Sequence, residues 1–553
     1  MKKKEGSSSN FLVQGSILAM ASIISRIIGL VYRIPLTKII GDVGNDYYGC
    51  AFEIYNILLI ISSYSLPLAV SKLVSAELAK GRRNNVYRTL KCAFLFATIS
   101  GVIAGFVLFF GAEFITSRIM KTPYSVFAVK ILAPTLLVVA ILGVLRGFFQ
   151  GLGTMMPSAI SQILEQVANA VVSVWAAYVL VSYGSKVGAI LGNETEYRAA
   201  YGAAGGTLGT NIGALVALLF VLLVFLLYQK AYKRQMRRAK NRDVSSYQET
   251  FRILIITVIP VLLSTAIYNC SSIIDQALFK NIATAQGYSA DEISIWWGKY
   301  SGKYKTLINV PISIASALAA SSVPMLTAAY TSGKRELVKR QIYTAIRFIM
   351  MVAFPCTVGM AVLASPILQL LFRDDSMLAA SMLWSGAVSI LFFSVSTLSN
   401  GLLQGINRMK EPVKNAIIAL VLHIILLCAM MYWLKWNIYA VIFSNAAFGL
   451  FMCILNDHSV KKYSGYRSKI KKTILLPAVS SLLMGGAVWL VYFLLQKAFA
   501  NNTVSTLFAI VVGIIVYLVV MLLLRGMDEE DLERLPKGER IIALAKKMHL
   551  IRL

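Results

Sequence analysis

The sequence is short of charge. Only 14% of its 553 residues are Asp, Glu, Lys or Arg, while 58% are hydrophobic. Soluble chains carry roughly 25% charged residues, so this chain has too little polar surface to dissolve in water. Histidine is scarcer still, with three in all. With no Cys-x-x-Cys pair, no metal-like spacing and no Gly-rich phosphate loop, zinc and ATP chemistry have no motif to rest on. The six cysteines (Cys50, Cys92, Cys270, Cys356, Cys428 and Cys453) stand singly, mostly in apolar segments. That pattern reads as buried thiols.

Acids are outnumbered, and the formal net charge is +29. An excess of that size invites a nucleic-acid reading. The basic residues, however, sit in short loops between apolar blocks, where membrane topology places them. No nucleic-acid partner is expected.

What the sequence has is apolar runs of spanning length, about 20 residues each. They fall near 11–33, 47–79, 87–110, 124–149, 157–182 and 203–229. After a charged stretch come 251–279, 300–330, 341–364, 378–404, 413–434, 438–456, 473–496 and 503–524. Met1-Lys2-Lys3-Lys4 ahead of the first run mimics a signal peptide. The run continues past Leu30 with Arg26 inside it and no small-residue cleavage site, so a retained helix is expected.

Loop charge tests this series. Lys80, Arg82 and Arg83 follow the second run, and Lys230, Lys233 and Arg234 the sixth. Lys334 and Arg335 follow the eighth, Arg408 and Lys410 the tenth, and Lys461 and Lys462 the twelfth. Only the fourth is weak, with Arg146 alone nearby. The alternation predicts both termini in the cytoplasm.

The expectation is an all-α integral membrane protein of about fourteen transmembrane helices. Residues 1–229 form one six-helix lobe, 230–250 a cytoplasmic linker and 251–458 a second lobe. Two further helices occupy 459–525, and 526–553 is a cytoplasmic amphipathic tail. The lobes look like pseudo-symmetric repeats. A shift of 252 places Leu66, Ala76, Gly81, Arg83, Val86 and Arg88 on Leu318, Ala328, Gly333, Arg335, Val338 and Arg340. At nearly the same shift Gln150-Gly151 with Pro157 falls on Gln404-Gly405 with Pro412. Parallel repeats imply a site between the halves and rocking of one against the other, which is transporter architecture.

A charge at the centre of a span costs at least about 2.5–3.5 kcal/mol on insertion scales, so each needs a partner or water. The cations so placed are Arg26, Arg33, Arg146, Lys303 and Lys305; the acids are Glu53, Glu165 and Asp275. An aqueous cavity lined by cations suits an anionic head group such as a pyrophosphate. Lys299, Lys303 and Lys305, flanked by Trp296, Trp297, Tyr300 and Tyr304, read equally as interfacial anchors. Arg146 reads also as the missing loop charge. On the seventh run Asn269, Ser272 and Gln276 share a helical face beside Asp275, a place for Na+ or a proton, or else a polar seam. No catalytic constellation is present, and no bound cofactor is expected. The one enzyme-like feature is the acid pair Asp374-Asp375 in a predicted outer loop.

Certain stretches, in their order, resemble the multidrug/oligosaccharidyl-lipid/polysaccharide exporter superfamily. They are Ser25-Arg26-Ile27-Ile28-Gly29-Leu30, Arg146-Gly147-Phe148-Phe149-Gln150-Gly151, Tyr304-Lys305 running to Pro311 and on to Val323-Pro324, Gln404-Gly405 before Pro412, and Asp531-Leu532-Glu533-Arg534-Leu535-Pro536. The likeness is to its polysaccharide-biosynthesis branch, which holds the lipid II flippases and their sporulation relatives. The resemblance implies a flippase that moves undecaprenyl-pyrophosphate-linked saccharides across a bacterial cytoplasmic membrane by alternating access. Lipid II is then the leading cargo, and the cell-wall machinery a partner. It implies Arg26 and Lys303 or Lys305 as cavity cations and Asp275 as a sodium-binding acid, with Na+, H+ or the membrane potential as driving force. The chain departs from the family where Tyr32-Arg33 stands for the usual Arg-Asp. It departs again in the second helix, where Tyr55–Ser65 lacks the expected basic residue. Two alternatives remain: a cation-coupled drug exporter of the same superfamily and a membrane glycosyltransferase using Asp374 or Asp375.

Overall fold

Sixty nearly unbroken helical residues, Met20–Ala79, would run about 90 Å if straight, three times the hydrocarbon core. The chain folds instead at Gly41, whose φ of 70° and ψ of −178° leave the helical region. Only glycine takes that conformation without a Cβ penalty. Asn45 clamps the break by donating from Nδ2 to the Gly41 carbonyl at 2.7 Å and the Thr37 carbonyl at 3.1 Å. The gap between the first two expected spans is therefore not a loop. The chain stays helical through it and turns at one residue.

The computed structural model describes residues 2–237, 244–467, 469–524 and 526, and every regular element among them is helical. The chain divides into two compact units, Met1–Gly302 and Lys303–Leu553. The first holds α1 (Lys2–Leu59), α2 (Leu66–Ala79), α3 (Arg83–Phe114), α4 (Val126–Gly151), α5 (Met156–Leu191), α6 (Glu194–Arg237), α7 (Tyr247–Ala285) and α8 (Ala290–Lys299). The second holds α9 (Lys305–Thr331), α10 (Arg335–Val362), α11 (Ala364–Phe372), α12 (Met377–Gly386) and α13 (Val388–Gly405). It continues with α14 (Lys410–Ala429), α15 (Asn437–Ser464), α16 (Leu476–Phe499) and α17 (Asn502–Leu523).

Eleven helical stretches among the described residues are long and apolar enough to cross a membrane, against fourteen expected. Met20–Ala79 merges the first two expected spans, and α7 and α9 are not among the eleven. The protein is an all-α multi-pass membrane protein. The expected eighth span, 300–330, is two pieces, a π-helical turn Tyr300–Tyr304 and α9, and the separate helix α8 with its Ser289–Glu292 capping box precedes it. The expected linker is largely helical, since α6 runs to Arg237 and α7 starts at Tyr247, with 238–243 outside the described residues. The expected tail helix also lies outside them, apart from Gly526.

The internal repeat is visible in backbone detail. Gly81 and Gly333 both take positive φ, 73° and 71°. Around them Arg82 N and Lys334 N bond to Glu77 O and Ala329 O, at 2.9 and 3.1 Å. The ends of α4 and α13 match as well, with Thr154 N to Phe149 O at 3.1 Å and Arg408 N to Leu403 O at 2.9 Å. Ser75 Oγ donates to the Gly151 carbonyl at 2.9 Å, and Thr327 Oγ1 to the Gly405 carbonyl at 3.0 Å. Each unit thus seats one helix hydroxyl on the last carbonyl of another. Offsets of 252 and 254 residues give the same local contact.

Within the first unit Leu36, Tyr48, Ala51, Leu132 and Leu136 form one core, and Leu66, Val70, Val144 and Phe148 another. Helices α5 and α6 pack through Gly205, Gly209 and Gly213, which are spaced four residues apart. A Cβ at Gly205 would fall 2.6 Å from Ala176 O, and one at Gly213 2.6 Å from Glu165 O. Small residues in this spacing let backbones touch where lipid supplies no hydrophobic drive. In the second unit Ala315, Leu326, Ile342 and Leu402 form a core, and Met484, Val488, Tyr517 and Met521 bind α16 and α17 to α10.

Candidate functional site

A cation in an apolar helix must spend its donors on a carboxylate, rest on a ring, or face water. The sequence-nominated cations divide along these lines. Arg146 on α4 donates from Nε to Ser161 Oγ and from Nη2 to Glu165 Oε2, both at 2.8 Å. Ser161 and Glu165 are one turn apart on α5, so a single face of that helix receives both edges of the guanidinium. Two residues nominated separately, Arg146 and Glu165, are one ion pair.

Lys303 is buried in the π-turn before α9, and its Nζ lies 2.5 Å from Asp374 Oδ2. Asp374 also accepts from Ser376 N at 2.9 Å, just ahead of α12. The cation read as cavity lining and the acid read as a catalytic candidate hold one another in the second unit. Lys305 opens α9, half-buried, and Lys299 pairs with Asp42 at 3.0 Å in the first unit.

Two further cations stand on α1. Arg26 is exposed, and Arg33, two turns later, is half-buried with its guanidinium carbon 4.1 Å above the centre of the Tyr48 ring. Tyr32 accepts a hydrogen bond from Asn169 Nδ2 at 3.3 Å, and Asn169 Oδ1 accepts from Ser173 Oγ at 2.8 Å. Ser22 Oγ donates to Gln162 Oε1 at 3.1 Å on the same seam. A polar strip of α1 therefore runs along α5 through the first unit.

Glu53 is half-buried on the second limb of α1. On α7 Asp275 is buried, Ser272 half-buried and Asn269 exposed. The three expected ion ligands thus run from the interior to the surface of one helix, so a cation there needs further ligands from other elements. Among the described residues no group of three or more His, Cys, Asp or Glu is placed to hold a metal ion.

The strongest polar centre went unnoticed in the sequence. Lys280 on α7 sits 2.5 and 2.7 Å from the two oxygens of Asp46 on α1, with both side chains 1% exposed. Lys280 also donates to Thr122 Oγ1 at 2.6 Å, and Ser294 of α8 donates to Asp46 Oδ2 at 2.7 Å. Asp46 and Lys280 each lie one residue outside an expected span. Opposite charges at two such margins were the only available signal.

Known proteins share this architecture. The family described as polysaccharide biosynthesis protein matches residues 12–330, more than half of the chain, and the MatE family matches residues 305–428. The lipid II flippase MurJ of Bacillus subtilis is 28% identical over 534 residues, covering 92% of this chain and 95% of that protein. Stage V sporulation protein B of the same organism is 22% identical, covering 96% of this chain and 99% of that protein. A solved structure of lipid II flippase MurJ in an inward closed conformation superposes with a TM-score of 0.65 at 15% identity. It covers 91% of this chain and 97% of that one. An inward-facing MATE multidrug transporter gives 0.61 at 14% identity, covering 80% and 96%. The chain belongs to the polysaccharide biosynthesis protein family, within the multidrug/oligosaccharidyl-lipid/polysaccharide exporter superfamily.

Proposed function

We propose that the protein is a flippase that carries undecaprenyl-pyrophosphate-linked saccharide precursors, lipid II foremost, across the bacterial cytoplasmic membrane. The observation that carries this reading is the pair Arg26 and Arg33, two turns apart on one face of an apolar helix. It is supported by a likeness to a lipid II flippase along nearly the full length of both chains. An arginine exposed in such a helix is costly against lipid, which argues for a water-filled path. Guanidinium groups spaced about 10 Å apart along that path suit a diphosphate moving past them.

In this reading Arg26, Arg33 and Lys305 meet the cargo by alternating exposure to the two leaflets. Arg146 and Lys303, neutralised by Glu165 and Asp374, serve as struts. Asp275 holds a coupling cation. Both termini lie in the cytoplasm, as loop charge indicates. Membrane lipids and the cell-wall machinery are the surroundings in which it works.

The MatE match over residues 305–428 favours cation-coupled drug export as the second reading. Glycosyl transfer is the third, and engagement of Asp374 by Lys303 and Ser376 speaks against it. Expression in a flippase-depleted bacterium separates them. Restored growth with loss of precursor from the inner leaflet is expected. Failure to restore growth at normal expression contradicts the flippase reading.

A further inference from the structure

Arg33 and Tyr48 are fifteen residues apart on α1, which in a straight helix would be about 22 Å. The break at Gly41 brings them together, eight residues on one side and seven on the other. How Arg33 is held matters chemically. A guanidinium engaged by a carboxylate spends its N–H edge, as Arg146 does on Ser161 and Glu165. A guanidinium held over an aromatic ring needs no carboxylate partner, so its N–H donors remain available to an anion. Among the described residues no carboxylate pairs with Arg33.

The ring beneath it is fixed. Tyr48 is 2% exposed and packs on Phe52 with centroids 4.5 Å apart. A Cβ at Gly206 of α6 would lie 3.0 Å from two of its ring carbons. Its hydroxyl stands beside that of Tyr32, which Asn169 of α5 holds by a hydrogen bond. Tyr32 is thus a phenol beside the ring, and Arg33 lies over that ring.

We propose that Tyr48 is a positioning residue that presents the open edge of the Arg33 guanidinium to the diphosphate of the cargo, with Tyr32 and Asn169 fixing the platform. This inference rests on the flippase reading above. It makes the first unit's anion contact depend on a ring, and selective for a planar cation. Lysine at position 33 cannot replace arginine, because an ammonium has no fork of donors left over once it sits on the ring.

The test is equilibrium binding of undecaprenyl pyrophosphate to the purified full-length chain in neutral-lipid nanodiscs, with thermal unfolding measured in parallel. Arg33→Lys and Tyr48→Leu are each expected to weaken binding about tenfold, and Tyr48→Phe by less than about threefold because the ring remains. Arg33 is half-exposed, so Arg33→Lys keeps the test decisive even where Tyr48→Leu fails to fold. Arg33→Lys binding as tightly as wild type, or Tyr48→Phe losing as much as Tyr48→Leu, overturns the platform alone. A wild-type chain that binds no undecaprenyl pyrophosphate overturns the flippase reading and the platform with it.

Discussion

Lys280 on α7 and Asp46 on α1 form an ion pair with both side chains 1% exposed, its nitrogen 2.5 and 2.7 Å from the two carboxylate oxygens. Thr122 and Ser294 complete the shell around it. Removing one member of such a pair strands a charge where no water can reach it, at a cost of about 3–5 kcal/mol. Lys280→Met alone is expected to lower thermal stability steeply in detergent, and Lys280→Met with Asp46→Leu to recover much of the loss. A double variant no better than the single one would mean that the pair is not a coupled unit.

The Lys303–Asp374 pair makes the opposite kind of prediction, about transport. If Lys303 is a strut, Lys303→Met impairs export by stranding Asp374, and adding Asp374→Asn restores much of it. Were Lys303 a cargo contact, the double variant would export no better than the single one. Asp374→Asn with Asp375→Asn should leave any sugar-transfer assay at background, as in the wild type.

At the start of α8, Ser289 donates to Glu292 from its backbone N–H at 3.0 Å and its hydroxyl at 2.8 Å. These bonds hold the Glu292 carboxyl below the usual glutamate range. A lowered carboxylate stabilises the folded helix above the unfolded glutamate value, and that stability is lost as pH falls through the folded value. Protection of the first-turn amides of α8 should therefore drop below about pH 4 relative to Glu292→Gln, which has no proton to gain. Hydrogen exchange at matched intrinsic rates reads the difference, and equal profiles would remove the capping account.

A coupling cation at Asp275 predicts ligand stabilisation. Sodium at ten times its Kd adds about 1.4 kcal/mol to the folded state. Na+ should raise the Tm of the wild-type chain over K+ and leave that of Asp275→Asn unmoved. A sodium shift retained in the variant places the ion elsewhere.

Much of the fold was legible because bilayers impose simple rules. Spanning length and the internal repeat are local or periodic, and Gly81 and Gly333 repeat a turn as their sequence context does. The turn at Gly41 was not legible, since a single glycine between helical stretches carries no loop signature. Pairings escaped for a related reason. Arg146 and Glu165 were each visible as a charge in a span, but nothing in a one-dimensional pattern says that α4 and α5 set them face to face. Asp46 and Lys280, 234 residues apart, looked like ordinary helix-end charges. Tyr48 looked like any aromatic until the Gly41 turn put it under Arg33.

The most direct test of the central claim is transfer of a labelled undecaprenyl-pyrophosphate-linked disaccharide between leaflets of vesicles containing only the purified chain. The account predicts that the wild type makes inner-leaflet label accessible to an external quencher. It also predicts that Arg26→Ala with Lys305→Ala, reconstituted to the same level, does not. No transfer by the wild type, or equal transfer by the double variant, would contradict it.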